Sequence, residues 1–485
     1  MNTTTKQDWA ILPYNVERIS GHYLVSNFLG NWSVLTLEEF KLLDQLRIEE
    51  DKELFERLLR EGIVVSEQSV MEHIETFRRL NANLFWDVSL HIPVLTTRCN
   101  IACKYCQTHV DNPEDMSEKV AQRVLEYTLN THNPKIHLEF QGGEALLNWK
   151  VLRSMIQTVQ EYKAKYPNKK VMMSIVSNGI LLKDDKMEFL VDNDVNICMS
   201  LDGPKDLHDK SRAFSKGEGS YEYVKDGIQR LKQLYERKGL SHRPINLLLT
   251  VNQNNIKAIK DVVDEYVHWG VREIALRPIN KLGSAAKGWN DLGVTPKEFI
   301  ECWTEAMDYL LNLNKKGVII KERMATVLLT KLLAKQDPGY VDIMNPAGAG
   351  RAVLTYMPNG DIYPGDEARM IGDDFFKLGN VFEDSYEEVM KSPKMFSICQ
   401  SSVLELYDYN SFYLPWSGTD PILNYKLQGS LIPKITQTPL YKISRRQFRY
   451  LLEKIITSQE DRDIFSKWII KEESRCQGES SLKRN

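Results

Sequence analysis

With 485 residues, 42% of them hydrophobic and 27% charged, the chain is long enough for two or three domains around well-buried cores. With a net charge of −3, nothing argues for a nucleic-acid polyanion as partner, and none is expected. The 7 cysteines fall as one triad plus Cys198, Cys302, Cys399 and Cys476, which is a reduced, intracellular pattern rather than a disulfide framework. Met1 to Trp9 is polar and lacks a signal peptide's apolar core, and no apolar run approaches the ~20 residues of a membrane span. A soluble, cytoplasmic protein with no membrane partner is expected.

Residues 1–87 read as a small module and a linker. Two or three short strands are predicted over residues 10–36, with turns at Gly21 and Gly30-Asn31. A helix starts near Thr36, with an apolar stripe at Leu37, Phe40, Leu42 and Leu43, and with Glu38 and Glu39 in the first turn where the helix dipole favours them. A second helix, Asp51 to Glu61, carries Leu54, Phe55, Leu58 and Leu59 at helical spacing, and Gly62 stops it before Ile63-Val64-Val65. The pattern is winged-helix-like. It resembles the peptide-recognition elements of enzymes that modify ribosomally made peptides, which add the leader peptide as an extra strand. A plain structural cap on the barrel is the alternative. Residues 66–87 read as a helical linker.

From residue 88 to 310 strands alternate with helices. Strands are predicted at 88–95, 136–140, 171–176, 196–201, 245–251 and 273–277, with amphipathic stretches such as Ser117–Leu129, Lys150–Tyr166 and Ile256–Trp269 between them. Six βα repeats predict a parallel sheet, doubly wound or curled into a partial barrel. Directly after the first strand come Cys99, Cys103 and Cys106, three thiols on one short loop. They cannot pair off as disulfides among themselves, and a tetrahedral zinc site wants a fourth ligand. A [4Fe–4S] cluster on three thiolates would keep one iron open to a small molecule.

The CxxxCxxC spacing, with Tyr105 just before the last cysteine, resembles the radical S-adenosylmethionine (SAM) enzymes. That resemblance implies a partial (β/α)6 barrel, with the cluster loop after the first strand and ligands at the C-terminal strand ends. It implies Cys99, Cys103 and Cys106 as cluster ligands. It also implies Gly142, Gly143 and Glu144 as the motif that binds the SAM amino group, although Ala145 stands where the family usually has Pro. Glycines there would let the backbone approach a ligand closely. The stretches Ser177-Asn178-Gly179 and Ser200-Leu201-Asp202-Gly203-Pro204, followed by His208-Asp209-Lys210-Ser211-Arg212, are similar to the strand ends of peptide-modifying members. By that likeness Tyr105, Ser177, Asn178, Ser200 and Arg212 contact SAM, Leu276-Arg277-Pro278 borders the adenine, and Asp202 is either a functional carboxylate or a turn-former.

Residues 311–443 form the next unit, and within it residues 341–443 resemble the SPASM-type extension of peptide maturases, most closely that of the His-Xaa-Ser peptide-modification system. Asn345 to Gly350 looks like its opening turn and Asn359 to Met370 like its hairpin; Leu378 to Val381 and Asn424 to Gly429 also fit. In the family this region holds two auxiliary clusters. Here the matching positions read Ala347, Gly365, Asp408, Ser411, Ser417, Asp420 and Tyr441, none of them cysteine, so one [4Fe–4S] cluster is expected rather than three. Cys399 and Cys198 are expected to be buried structural cysteines. The aromatic run Tyr407, Tyr409, Phe412, Tyr413, Leu414 and Trp416 is expected to form a small apolar core, with a peptide-facing groove as the alternative. Residues 444–485 read as one or two helices, Ser444 to Ile470, and a polar tail from Lys471.

The resemblance implies an enzyme that cleaves SAM reductively to a 5′-deoxyadenosyl radical and abstracts hydrogen from a ribosomally made peptide or small protein. Epimerisation or a thioether or carbon–carbon crosslink would fit, and the electron would come from flavodoxin or ferredoxin. Asp366 and Glu367 are candidate catalytic carboxylates by their place in the hairpin. Two other readings stand beside this one: a diverged partner subunit that presents peptide to a second maturase, and a radical SAM enzyme acting on a small molecule.

Overall fold

A computed structural model describes residues 8–80, 87–108, 112–344, 346–404 and 411–469. It opens with β1 (Trp9–Ile11), β2 (Tyr14–Ile19), β3 (His22–Asn27), β4 (Trp32–Leu35), α1 (Leu37–Asp44), α2 (Lys52–Glu61), β5 (Val64–Ser66) and α3 (Val70–Leu80). Four strands thus precede the first helix rather than two or three. Pro13, which has no N–H to give a ladder, separates β1 from β2. The two then join different sheets: β1 pairs with β5, while β2, β3 and β4 form an antiparallel meander. Thr36 and Glu39 close a capping box on α1, Asp51 caps α2, and Gly62 ends α2 in the left-handed conformation at φ +78°. Val25, Leu35, Leu43, Leu54 and Leu58 fill the small core of this module.

The module rests on the C-terminal region. Ser26 Oγ donates to the Phe412 carbonyl at 2.6 Å, Trp32 Nε1 to the Leu332 carbonyl at 3.0 Å, and Arg449 pairs with Glu17 at 2.6 Å.

The central part alternates β6 (Leu90–Pro93), α4 (Glu118–Leu129), β7 (Lys135–Phe140), α5 (Trp149–Lys165), β8 (Lys170–Ser177), α6 (Asp184–Asp192), β9 (Val195–Ser200), α7 (Lys205–Ser211), α8 (Tyr221–Arg237), β10 (Asn246–Val251), α9 (Ile259–His268), β11 (Glu273–Ile274) and β12 (Leu276–Pro278). Strands β6, β7, β8, β9, β10 and β12 lie side by side and parallel, the mixed α/β architecture of a (β/α) partial barrel. Their side chains alternate between two faces. On β9, Val195, Ile197 and Met199 are buried against the helices, whereas Asn196, Cys198 and Ser200 share the other face with Ser174 and Val176 of β8 and Asn246 and Leu248 of β10. That inner face is polar: His137 and Ser174 are hydrogen-bonded across it at 2.7 Å, and Gln141 Nε2 donates to Glu139 at 2.7 Å.

After α10 (Gly283–Lys287), α11 (Trp289–Leu292), α12 (Pro296–Lys315), β13 (Lys321–Glu322) and α13 (Arg323–Leu333), the chain returns to the sheet. There β14 (Val353–Tyr356) pairs parallel with β6, and β15 (Asp361–Tyr363) and β16 (Gly379–Asn380) follow antiparallel, giving nine strands in order β12-β10-β9-β8-β7-β6-β14-β15-β16. The remaining helices are α14 (Asp366–Ile371), α15 (Tyr386–Met390), α16 (Pro393–Leu404), α17 (Pro421–Gln428), α18 (Pro439–Thr457) and α19 (Gln459–Trp468). The predicted terminal helical stretch is therefore two helices, the first beginning five residues before Ser444 because Thr438 caps it.

Phe412, Tyr413 and Trp416 are buried and pack around Phe448 of α18, which is an apolar core; Leu414 is half-buried. Tyr407, Asp408, Tyr409, Asn345, Cys476 and the tail from Lys471 lie outside the described residues. Other residues at the expected auxiliary-cluster positions have structural duties. Asp420 Oδ1 caps α17 by accepting from Ile422 N and Leu423 N at 3.0 Å, Ser417 Oγ donates to the Tyr413 carbonyl at 2.8 Å, and Ala347 is buried. Beneath them the Lys331 ammonium, only 3% exposed, donates to the carbonyls of Ile343 and Trp416 and lies 3.8 Å from Asp337. Cys302 is buried; Cys198 and Cys399 are half-buried rather than buried, since Cys198 faces the barrel interior. Among the described residues, no helix is long and apolar enough to cross a membrane.

Candidate active site

The three cysteines stand on the loop that leaves the C-terminal end of β6. Cys99 is exposed, Cys103 and Cys106 are half-buried, and all three are free thiols. Backbone of two neighbouring segments holds the loop: Ala102 N–H donates to the Ala213 carbonyl at 2.8 Å, Lys104 N–H to the Ser211 carbonyl at 3.0 Å, and Ser284 N–H to the Cys106 carbonyl at 2.8 Å. Burial pushes the Cys103 thiol up to about 12, with Arg212 opposing and Cys106 and Cys99 adding to the rise. A thiol so desolvated becomes a thiolate when a metal supplies the positive charge. Among the described residues, no three His, Cys, Asp or Glu side chains converge to hold a single metal ion. A cluster makes no such demand, because each thiolate takes a different iron. Three free thiols on one loop, electrostatically coupled and with no fourth donor among the described residues, fit that group.

The Gly142-Gly143 pair lies against this loop. Gly143 N–H donates to the Thr96 carbonyl at 2.9 Å and Glu144 N–H to the Arg98 carbonyl at 2.8 Å. A Cβ on Gly142 would stand 2.6 Å from the Thr96 oxygen, and one on Gly143 2.3 Å from the Arg98 oxygen. The close approach expected of the glycines is therefore to the cluster loop's backbone. The motif's first task is to hold the stem of the loop.

Glu144 is 1% exposed. Its Oε1 accepts from Ser177 Oγ at 2.9 Å and Leu146 N at 3.1 Å, and its Oε2 from Asn178 N at 2.8 Å. Burial pushes its acidity to higher pH, and these three hydrogen bonds oppose the rise. A carboxylate offers about four lone-pair sites, so one remains; the Lys186 ammonium also pulls its acidity down, but among the described residues no cation stands within ion-pair distance. An ammonium group would supply both missing elements. Asn178 Nδ2 reaches Asn100 Oδ1 at 2.7 Å and Cys99 Sγ at 3.8 Å, which joins the end of β8 to the cluster loop.

Ser200 and Arg212 are nearly buried at the end of β9 and just after α7. Arg212 is bound through Nε to Asp202 Oδ2 at 3.0 Å, and its guanidinium lies 5.2 Å from the centre of the Tyr105 ring. Asp202 is no simple turn-former; its side chain is fully buried and ion-paired. Leu276 is buried beside Leu249, and its N–H is taken by the Glu322 carboxylate at 3.2 Å.

Asp366 and Glu367 open α14. Asp366 pairs with Arg369 Nε at 2.6 Å, and Arg369 Nη2 reaches Gln141 Oε1 at 3.3 Å, one residue before the glycine pair. Burial, with Asp342, Asp420 and Asp366 adding, pushes Glu367 up to about 8, against the pull of Arg277. Asp420 is pushed up to about 6, and Arg277 pairs with Asp342 at 3.2 Å. Sequence reasoning missed this grouping, because its members come from four separate segments; Arg277, Asp366, Glu367 and Asp420 were each named there for other reasons.

Residues 94–263 match the sequence profile of the Radical SAM superfamily. The chain carries a radical SAM domain. The family implies SAM and an iron–sulfur cluster. The radical SAM chain is 27% identical over 190 residues to an uncharacterized protein of Methanocaldococcus jannaschii, covering 39% of this chain and 62% of that one. It is 24% identical over 318 residues to a cysteine-type anaerobic sulfatase-maturating enzyme of Clostridium perfringens, covering 63% of this chain and 81% of that enzyme. Its fold is similar to native anSMEcpe with bound AdoMet and Kp18Cys peptide, with a TM-score of 0.65, 19% identity, and coverage of 78% of this chain and 99% of that one. It is also similar to Streptococcus suis SuiB bound to precursor peptide SuiA, with a TM-score of 0.51, 13% identity, and coverage of 88% and 97%. At such identities the structural likeness concerns the fold.

Proposed function

We propose that this radical SAM enzyme modifies a ribosomally made peptide or protein, with one [4Fe–4S] cluster held by Cys99, Cys103 and Cys106. The observation that carries the reading is the intact three-thiol loop, braced by Gly143 and Glu144, in a chain whose residues 341–443 contain Cys399 alone. When bound, the cluster and SAM supply a 5′-deoxyadenosyl radical, and the electron comes from a low-potential flavodoxin or ferredoxin. The chain's own residues bind and orient. Glu144 receives the SAM ammonium on its free lone pair, Arg212 offers its terminal nitrogens to the carboxylate, Ser200 and Ser177 border the ribose, and Leu276 packs by the adenine. Gly142, Tyr105 and Asn178 keep the loop and strand end in place.

A peptide substrate is supported by the sulfatase-maturating relative and by the bound peptides in the structural neighbours. The polar inner face of the barrel gives an extended backbone hydrogen-bonding partners. The hairpin and turn motifs of residues 345–370 support the narrower reading of a His-Xaa-Ser-type maturase. Asp366 and Glu367 are the acid–base candidates: neighbouring carboxyls in unlike surroundings, one ion-paired and one pushed up to about 8, divide such roles naturally.

The test is iron and sulfide analysis with EPR on anaerobically purified protein, coupled to a 5′-deoxyadenosine assay with a labelled peptide. About four irons per chain, lost when the three cysteines become alanine, with peptide deuterium appearing in 5′-deoxyadenosine, is the expected result. About twelve irons would overturn the single cluster. A folded protein with no cluster and no SAM cleavage would favour the partner-subunit reading, and label transfer from a small molecule alone would overturn the peptide.

A further inference from the structure

Asp202 makes more connections than any role so far given to it requires. Its side chain is fully buried. Oδ2 accepts both the Tyr105 hydroxyl and Arg212 Nε at 3.0 Å, and Oδ1 accepts Thr250 N–H at 3.2 Å from β10. Its own N–H donates to His208 Nδ1 at 3.2 Å, and its carbonyl accepts Asn255 Nδ2 at 3.2 Å. His208 is held neutral, its basicity pushed down to about 4 by burial, and so can accept at Nδ1 while Nε2 bonds Ser220 at 3.0 Å. Asp202 is thus fixed by its own backbone before its carboxylate is used.

What that carboxylate fixes is informative. Tyr105 directly precedes Cys106, and its hydroxyl ends on Asp202. The residues flanking Arg212 supply the carbonyls of Ser211 and Ala213 that hold the loop at Lys104 and Ala102. The two segments that meet at the cluster loop are therefore cross-linked through one negative charge. Taking Nε of Arg212 on Oδ2 leaves the terminal nitrogens of the guanidinium without a partner among the described residues, while the ring of Tyr105 backs its plane.

We infer that Asp202 is the positioning residue of this cofactor site: its carboxylate sets the cluster loop through the Tyr105 hydroxyl and aims the terminal nitrogens of Arg212 at the carboxylate of SAM. Asp202 touches neither the cluster nor SAM. Its part in SAM binding rests on the SAM placement proposed above; its part in the loop does not, and the test separates the two.

The test uses the full chain with Asp202→Asn, Tyr105→Phe and the double variant. Asparagine keeps the size but puts an NH2 against Arg212 Nε and removes the counter-charge. In cluster-free protein, hydrogen exchange at the amides of residues 99–106 is expected to quicken about ten-fold or more in Asp202→Asn, and less in Tyr105→Phe. In reconstituted protein, SAM affinity is expected to fall about ten-fold in Asp202→Asn, with kcat at saturating SAM changed much less. The double variant is expected to match Asp202→Asn, since both act through one bond. Unchanged exchange in Asp202→Asn, or additive effects in the double variant, would overturn the loop role. Quickened exchange with unchanged SAM affinity would overturn the Arg212 role alone. If Asp202→Asn does not fold, Tyr105→Phe decides the loop role: quickened exchange supports it and wild-type exchange overturns it.

Discussion

Replacing Gly143 with alanine is the sharpest trial of how the cluster loop is held. The added Cβ would lie 2.3 Å from the Arg98 oxygen, 2.7 Å from its carbonyl carbon and 2.9 Å from the Thr97 oxygen, all of them backbone. An ordinary contact begins at 3.4 Å, so the stem of the loop must retreat by about 1 Å. That retreat strains two hydrogen bonds, Gly143 N–H to Thr96 at 2.9 Å and Glu144 N–H to Arg98 at 2.8 Å, each contributing about 1 kcal/mol. Overpacking costs about 1–3 kcal/mol, and the stiffer unfolded chain returns about 0.5 kcal/mol. The net loss is about 2 kcal/mol or more, roughly thirty-fold against the native loop. Gly227→Ala on α8 is the control, because its Cβ would meet nothing closer than 3.5 Å and a helical alanine stabilises. Iron per chain after reconstitution, with thermal unfolding of the cluster-free protein, is the assay. Gly143→Ala should lose both iron and stability while Gly227→Ala keeps both. Full iron content in Gly143→Ala would refute the bracing argument.

Further predictions concern the rest of the chain. Glu367 is pushed up to about 8, so its neutral form is favoured on folding; stability from this group is present at low pH and lost as pH rises through about 8. Glu367→Gln should therefore unfold at a higher temperature than wild type above that pH and show little advantage near pH 4, which thermal scans across pH would check. Lys331→Met leaves Asp337 without its buried partner and should destabilise the chain by about 3 kcal/mol, read by anaerobic denaturant unfolding. Ser177→Ala removes one of the three hydrogen bonds to Glu144 and should weaken SAM binding by about 1 kcal/mol, with iron content unchanged, by equilibrium titration.

Much of this was legible in the sequence because it is local. Five strands of the barrel were visible as short runs, while the sixth, predicted over 273–277, is split between β11, which pairs with β13, and β12, which joins β10; the cysteine, Gly-Gly-Glu and Ser-Leu-Asp-Gly-Pro motifs followed strand ends in order. Even the caps of α1 and α2 were readable, since Thr36, Asp51 and Gly62 act within four residues of their own positions. What was hidden is non-local. Asp202-Gly203-Pro204 reads as a turn, and nothing in the chain says that Tyr105, Arg212 and Thr250 converge on its carboxylate. A Gly-Gly pair announces a close approach without naming what approaches; here it was Thr96 and Arg98. The run Val353–Tyr356 is too short to reveal that it would pair with β6, some 260 residues earlier in the chain. Glu367 and Asp420 were legible singly, but not Asp342 beside them, and never as a group.

That last pairing bears on how the chain can be handled. With β14 laid along it, the strand that carries the cysteine loop is an interior strand, hydrogen-bonded on both sides. A fragment ending near residue 340 would strip one side of β6 and leave a row of bare backbone groups a few residues from Cys99, an invitation to pair with another molecule. The barrel of this protein is thus no detachable cassette. Whatever metal the C-terminal region holds or lacks, it is the selvedge of the sheet, and the fabric that supports the cysteines frays without it.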